Sequence, residues 1–523
     1  MSVLIIWARH PRASRASRDD AVRHGHNVGL LAFRLACSVA LVVSAAAAAG
    51  CGSSDPAGTD AGLDAGLDAG MDAGFDASLD AGPPWPHVLP DTTTLGTLRG
   101  RRLARAIIHA HSPLSHDACD GMGWVDGSLH DPTCLAHMRA AACDLNIDAL
   151  SLTDHSNWIF QAQFDEMFWP EAGDEIIHDA SGNHVASTWA CPGGHRVLVT
   201  VGTENALMPI GLAHHVIETT DPTALDDAYD ADGPAAVGAF RTAGALVFVA
   251  HTESRALDYL RTLGADGIEI YNLHANVDPH IRQDWLGLGM GDYLPDLLLF
   301  LDRRARLEPD LSFLSFFSEN ANDLAKYDAL GAEGVHVTAI AGTDCHENTF
   351  PDLMPDGERG DSYRRMMRWF GNYLLVDDVT YDGTRDALTS GRSYIAFDAF
   401  GTPVGFDFRA EVGATVTEMG GTAPPGATVL QVMRPHLDPS VPSSPAPRVI
   451  LRLLRSGIAG VEEVASTEDF MLTYFAMVPG AYRAEVHIVP EHVRPYLGAV
   501  ADRFVHDYVW IYSNAIQVPT PSS

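Results

Sequence analysis

The sequence predicts an α/β protein: a seven-stranded β/α barrel followed by a small all-β sandwich. Three observations predict it. Seven β-rich apolar runs recur between residues 105 and 344, with clusters of His, Asp or Glu where runs stop. The segments between them are long and partly helical in pattern, which suits parallel β/α units covered on both faces. From about residue 400 the chain changes to short alternating strands split by Pro- and Gly-rich turns, the texture of a sandwich. The 523 residues, 46% of them hydrophobic, suffice for two or three domains with sizeable cores.

Residues 1–50 carry six arginines and two acids, then an apolar run that ends Ala48-Ala49-Gly50-Cys51. A small-residue tract ending in Gly-Cys resembles a bacterial lipoprotein signal, which implies cleavage before Cys51 and lipidation of its thiol. The run is also long enough to span a bilayer, but the small residues before Cys51 favour cleavage. Residues 51–95 follow as a tether, with Asp-Ala-Gly repeating every four residues from Asp60 to Asp80. That unit has too little apolar surface to offset its ordering entropy and repels itself into an extended chain. The expectation is an exported protein, lipid-anchored in the cell envelope, with the membrane as a partner.

Export changes how the cysteines are read. Cys119, Cys134, Cys143 and Cys191 are expected either as two disulfides, with three pairings open, or as four buried thiols.

The barrel is expected over residues 100–395, with runs at 105–111, 147–155, 196–204, 212–219, 245–251, 267–272 and 335–344. In a closed β/α barrel the C-terminal strand ends converge on one mouth. Sixteen of the 24 histidines lie between His109 and His346, which points to metal. His109-Ala-His111 places two imidazoles on one face of a strand, within reach of one ion. Thr153-Asp154-His155, Gly202-Thr203-Glu204, His214-His215, Ala250-His251 and Gly342-Thr343-Asp344-Cys345-His346 follow in order. Each alone reads as a hydrogen-bonded structural residue; together, at the ends of the runs, they form a series. Residues 296–330 read as helical cover inserted before the last strand.

This ordered series resembles the polymerase and histidinol phosphatase (PHP) superfamily of metallohydrolases, over roughly residues 100–395. The resemblance implies a distorted seven-stranded β/α barrel holding two or three Mn, Zn or Fe ions. By position it implies as ligands His109, His111, Asp117, His155, Glu204, His251, Asp344 and His346, with a fourth-strand histidine at His214 or His215. His215 is preferred because Val216 and Ile217 follow it directly. The sequence departs from the family at Thr252, where a proline is usual, and in the 65 or so residues between Asn272 and the last strand. The ending at 508–516 resembles the closing strand of the carbaryl-hydrolase-like branch.

Adjacent metals activate water for attack on phosphorus or an acyl carbon. Asp344, or Asp154 behind His155, would orient ligands or shuttle the proton, and Arg255 either meets an anionic substrate or forms a salt bridge. The expected function is phosphoester hydrolysis of a small molecule. The alternatives are carboxyl-ester or carbamate hydrolysis, and a non-catalytic metal- or glycan-binding lipoprotein. No Gly-x-Ser-x-Gly elbow occurs, which argues against a serine nucleophile. Residues 400–523 are expected to cover the barrel as the sandwich. The net charge of −34 excludes nucleic acid as a partner, since phosphate backbones need clustered Lys and Arg. Lys326 is the single lysine and has no phosphate loop before it.

Overall fold

The computed structural model describes residues 84–520, and the expected signal, Cys51 and the Asp-Ala-Gly repeat lie outside them. Of these, residues 84–277 and 281–520 form one compact unit. Six of the seven apolar runs contain a strand. Arg101–Ala110 (β1), Ala149–Leu152 (β2) and Arg196–Val201 (β3) pair in parallel. Eight consecutive residues of β1, Leu103 to Ala110, are buried, as befits a strand covered on both faces. A second sheet holds Met208–Ile210 (β4), Leu246–Val249 (β5), Gly267–Asn272 (β6) and Thr338–Gly342 (β7). Its pairs β5–β6 and β6–β7 are parallel, whereas β4 lies antiparallel to β5.

Two expectations are corrected here. The run 212–219 is not a strand. Gly211 adopts φ +71°, in the left-handed region, and turns the chain out of β4; His214 and Ile217 are then exposed. The short strand β4 occupies that place instead. The seven strands also do not make one continuously bonded barrel. Among the described residues, backbone pairing between the two sheets is confined to isolated bridges, Gly202 with Ile210 and Ala110 with Cys345. Both bridges lie at the polar ends of the runs, one between His109 and His111 and the other two residues before Glu204, so the sheets come together beside the site.

The crossover from β1 to β2 is the helix Pro132–Asp144 (α1), started by Asp131, whose carboxylate accepts from the Thr133 and Cys134 N–H groups. The expected cover before β7 consists of the helices Leu294–Leu301 and Ala321–Ala332 with a short 3₁₀ turn, Pro309–Ser315, between them. Phe313 in that turn is fully buried and stacks on Trp369 at 5.4 Å.

Beyond β1 the first sheet continues antiparallel through Gly371–Val376 (β8) and Ser393–Ala396 (β9). It then runs on into Tyr508–Ser513, Gly480–Val489, Arg448–Gly457 and Gly460–Thr467. The later strands are antiparallel, as the sequence implies, but half of them extend the sheet begun by β1. Asp407–Val412, Thr415–Glu418, Thr428–Met433 and Met471–Ala476 form a separate four-stranded sheet. Along Thr428–Met433 buried and half-buried residues alternate, so one face is covered.

The disulfides are Cys119–Cys134 and Cys143–Cys191, and Cys345 is a buried free thiol. The first ties the loop after β1 to α1, and the second ties the end of α1 to the residue before β3's approach, at Cys191. No described helix is long and apolar enough to cross a membrane.

Candidate metal centre

The strand ends bring eight of the nine expected ligand residues together. His109 lies on β1 and His111 just past it, and both are fully buried with their Nε2 atoms 3.2 Å apart. The bridge at Ala110 locks the β1 end to the segment after β7: the Asp344 N–H donates to the His109 carbonyl and the His111 N–H to that of Cys345. Asp344 and His346 therefore face His109 and His111. His155 follows β2, Glu204 follows β3, and His251 follows β5. His251 and Asp344 hold φ of 49° and 51°, a costly conformation for non-glycine residues that aims their side chains inward.

The donor atoms sort into three overlapping groups: His111, Asp117, His155 and His346; His109, His111, Glu204 and Asp344; and His251, His274 and Asp344. Within each group they lie within 4.8 Å of one another. Two carboxylates divide their oxygens between groups. Glu204 turns Oε2 to His109 and His111, both at 3.2 Å, and Oε1 to His251 at 3.1 Å. Asp344 turns Oδ1 to His111 at 3.1 Å and Oδ2 to His274 at 3.1 Å and His251 at 3.3 Å.

The outer contacts decide what the five strand-end histidines offer. Nδ1 of His109 lies 2.6 Å from Glu269 Oε1, and Nδ1 of His251 lies 3.1 Å from Glu253 Oε1. Nδ1 of His155 meets the Glu204 carbonyl at 2.7 Å, and that of His346 the Asp344 carbonyl at 2.8 Å. His111 Nδ1 lies 3.1 Å from Ser115 Oγ, which itself donates to Asp117. Every one of these partners accepts, so every Nδ1 carries hydrogen. A neutral ring then presents a bare Nε2 lone pair to the centre, where it confronts other lone pairs and carboxylates.

Such a centre needs cations, either protons or metals. Burial opposes charge on His109, but Asp344, Glu204 and Glu269 overcome it and hold the ring protonated well above the usual histidine range. His251 is raised in the same way against burial by Glu253 and Glu204, and His155 reaches about 10 against burial through Asp117. The carboxyls of Asp117, Glu204 and Asp344, against the cost of burial, are held well below theirs by the facing histidines. Asp344 Oδ1 and His346 Nε2 are buried without a hydrogen-bond partner. Imidazole nitrogen with carboxylate oxygen, oriented by outer acceptors, is the donor set of Zn, Mn and Fe sites, so the residues fit divalent ions.

The remaining expected residues lie elsewhere. His215 is not among the converging donors: its Nδ1 meets Tyr229 OH at 2.9 Å and its ring packs against Phe164 at 5.2 Å, because the chain has left the sheet at Gly211. His214 bonds the His215 carbonyl and is exposed. In their stead His274, in the helix Leu273–Val277 directly after β6, reaches Asp344. It stands two residues past an apolar run, so the strand-end rule applied to β6 would have found it. Asp154 accepts from Ser112 N at 2.6 Å and Oγ at 2.7 Å, fixing the turn after His111. Its carboxyl is raised, chiefly by burial. Arg255 donates to the Ala206 carbonyl at 2.6 Å, in the loop after Glu204.

No family model and no curated protein matches the chain. Among solved structures it is similar to a two-domain protein from Bacteroides vulgatus ATCC 8482, described as containing a predicted PHP-like metal-dependent phosphoesterase. That likeness covers 82% of this chain and 99% of the other, with 13% identity and a TM-score of 0.30. It is also similar to PsfC from Pseudomonas syringae PB-5123, over 57% of this chain and 93% of that one, with 14% identity and a TM-score of 0.32. At such scores the functional reading rests on this chain's own side chains.

Proposed function

We propose that the protein is a metal-dependent hydrolase that cleaves a small phosphoester with two or three divalent ions, Mn, Zn or Fe. The observation that carries this reading is the convergence of six imidazoles and three carboxylates in groups that share His111 and Asp344. Carboxylates whose oxygens face two groups would hold ions in both. Ions so held supply Lewis-acid activation of water and neutralise the anionic group that reacts. Glu204 and Asp344 are the carboxylates so placed. The Nδ1 contacts hold the rings against rotation, so that the site is formed before substrate arrives. A phosphoester suits a cluster of adjacent cations better than a neutral acyl ester does.

Two disulfides within the described residues support the reading of export to an oxidising compartment. Loss of palmitate labelling in Cys51→Ala tests the lipid tether. For the activity, purified protein is expected to hold at least two transition-metal ions per chain and to hydrolyse p-nitrophenyl phosphate faster than p-nitrophenyl acetate. His109→Ala and Asp344→Ala are expected to lose that activity by at least a hundredfold. A metal content near zero, unchanged by added Mn or Zn, would sink the reading, and faster acetate hydrolysis would move it to carboxyl esters.

A further inference from the structure

The apolar run of β6 contains one carboxylate, Glu269, whose side chain is only 1% exposed. Three donors converge on it. Oε1 takes the Nδ1 hydrogen of His109 at 2.6 Å, and Oε2 takes the backbone N–H of His251 at 2.9 Å and Asn272 Nδ2 at 2.8 Å. Asn272 in turn takes the Ala275 N–H, at the start of the helix that carries His274. We infer that Glu269 is a positioning residue that fixes His109 and His251 at once, and so builds two of the three donor groups while leaving the third alone.

Acceptor capacity makes the argument specific. Only an ionised carboxylate offers acceptors on both oxygens; an amide would turn its NH₂ against either His109 or the His251 N–H. A buried donor left facing another donor loses its bond outright. The space around the carboxylate is also fitted to it. A Cβ placed on Gly342, in β7, would lie 1.9 Å from Glu269 Oε1 and 3.0 Å from His109 Nδ1. The group of His111, Asp117, His155 and His346 has its own outer acceptors, Ser115 and two backbone carbonyls, and does not touch Glu269.

The inference rests on the metal-dependent reading above for its stoichiometry, and on ring geometry alone for a second readout. After exhaustive dialysis, Glu269→Gln is expected to retain about one ion per chain where the wild type retains two or three. Gly342→Ala, which displaces the carboxylate without changing its chemistry, is expected to do the same. Asp117→Asn is expected to lose the ion that Glu269→Gln keeps. In metal-free protein, proton NMR is expected to show the His109 Nδ1–H far downfield in the wild type and to lose it in Glu269→Gln, while the Nδ1–H signals of His155 and His346 persist. Retention of the full metal complement and of the His109 signal in Glu269→Gln would overturn the inference. If the wild type bound no metal, the metallohydrolase reading would fail and the NMR comparison would still decide the role of Glu269. Unchanged circular dichroism of the variants separates these outcomes from unfolding, and if Glu269→Gln does not fold, Gly342→Ala carries both readouts.

Discussion

The two disulfides close loops of different length and stand at different distances from the metal centre, so removing each should have a distinguishable effect. Cys119–Cys134 closes 15 residues and Cys143–Cys191 closes 48. Chain-entropy loss in the unfolded state scales with the logarithm of loop length, giving about 3 kcal/mol for the first and about 4 kcal/mol for the second. The order reverses for function. Cys119 donates its N–H to the His346 carbonyl at 2.8 Å and lies two residues from the candidate ligand Asp117, and the Asp120 N–H donates to the Glu347 carbonyl. Cys143 and Cys191 are half-buried and pack against the core from the far end of α1, away from Asp117. The double variant Cys143→Ser/Cys191→Ser should therefore lose more stability in urea unfolding yet keep its metal content. Cys119→Ser/Cys134→Ser should lose less stability but weaken the ion held by Asp117, His155 and His346 by tenfold or more, read by competition with a chelator. Equal metal affinity in the two variants would refute the idea that this disulfide positions Asp117.

Two other outcomes follow from particular residues. His274→Ala should lower metal retention and His215→Ala should leave it at the wild-type level; metal analysis of the two, side by side, checks the exchange of ligands that the fold makes. Far from the centre, burial pushes the Glu485 carboxyl up, but Arg483 and His487 reverse this and hold it at about 2, below the ordinary value of 4.5. A depressed carboxyl stabilises the fold above its unfolded pKa and stops doing so as pH falls through the folded one. The stability gap between wild type and Glu485→Gln, on the order of 3 kcal/mol for a broken buried pair, should be full above about pH 4.5 and shrink toward pH 2. Urea titrations across that range check the sign.

Much of the site is legible in the sequence because its signals are local. His109 and His111 share a face through the two-residue period of a strand, and Thr153-Asp154-His155, Ala250-His251 and Asp344-Cys345-His346 each stand where an apolar run stops. Such patterns need no knowledge of distant partners. His215 misleads for the same reason: it stands within the apolar run 212–219 with Val216 and Ile217 directly after it, but the chain has already turned out of the sheet at Gly211 before that run begins.

The sequence by itself determined that this chain builds an α/β unit with histidines and carboxylates at its strand ends, followed by antiparallel strands. Apolar run length, residue period and polar strand ends are properties of neighbours, and they survive translation into structure. Only the tertiary structure decided that two sheets meet at single bridges, that β1 begins a sheet running on into the C-terminal strands, and that the cysteines pair 119 with 134 and 143 with 191. It also decided that Glu269, 160 residues from His109, is the acceptor that orients it. These are matters of register and approach between segments far apart in the chain, and a carboxylate in an apolar run carries no mark of which distant donors will close on it.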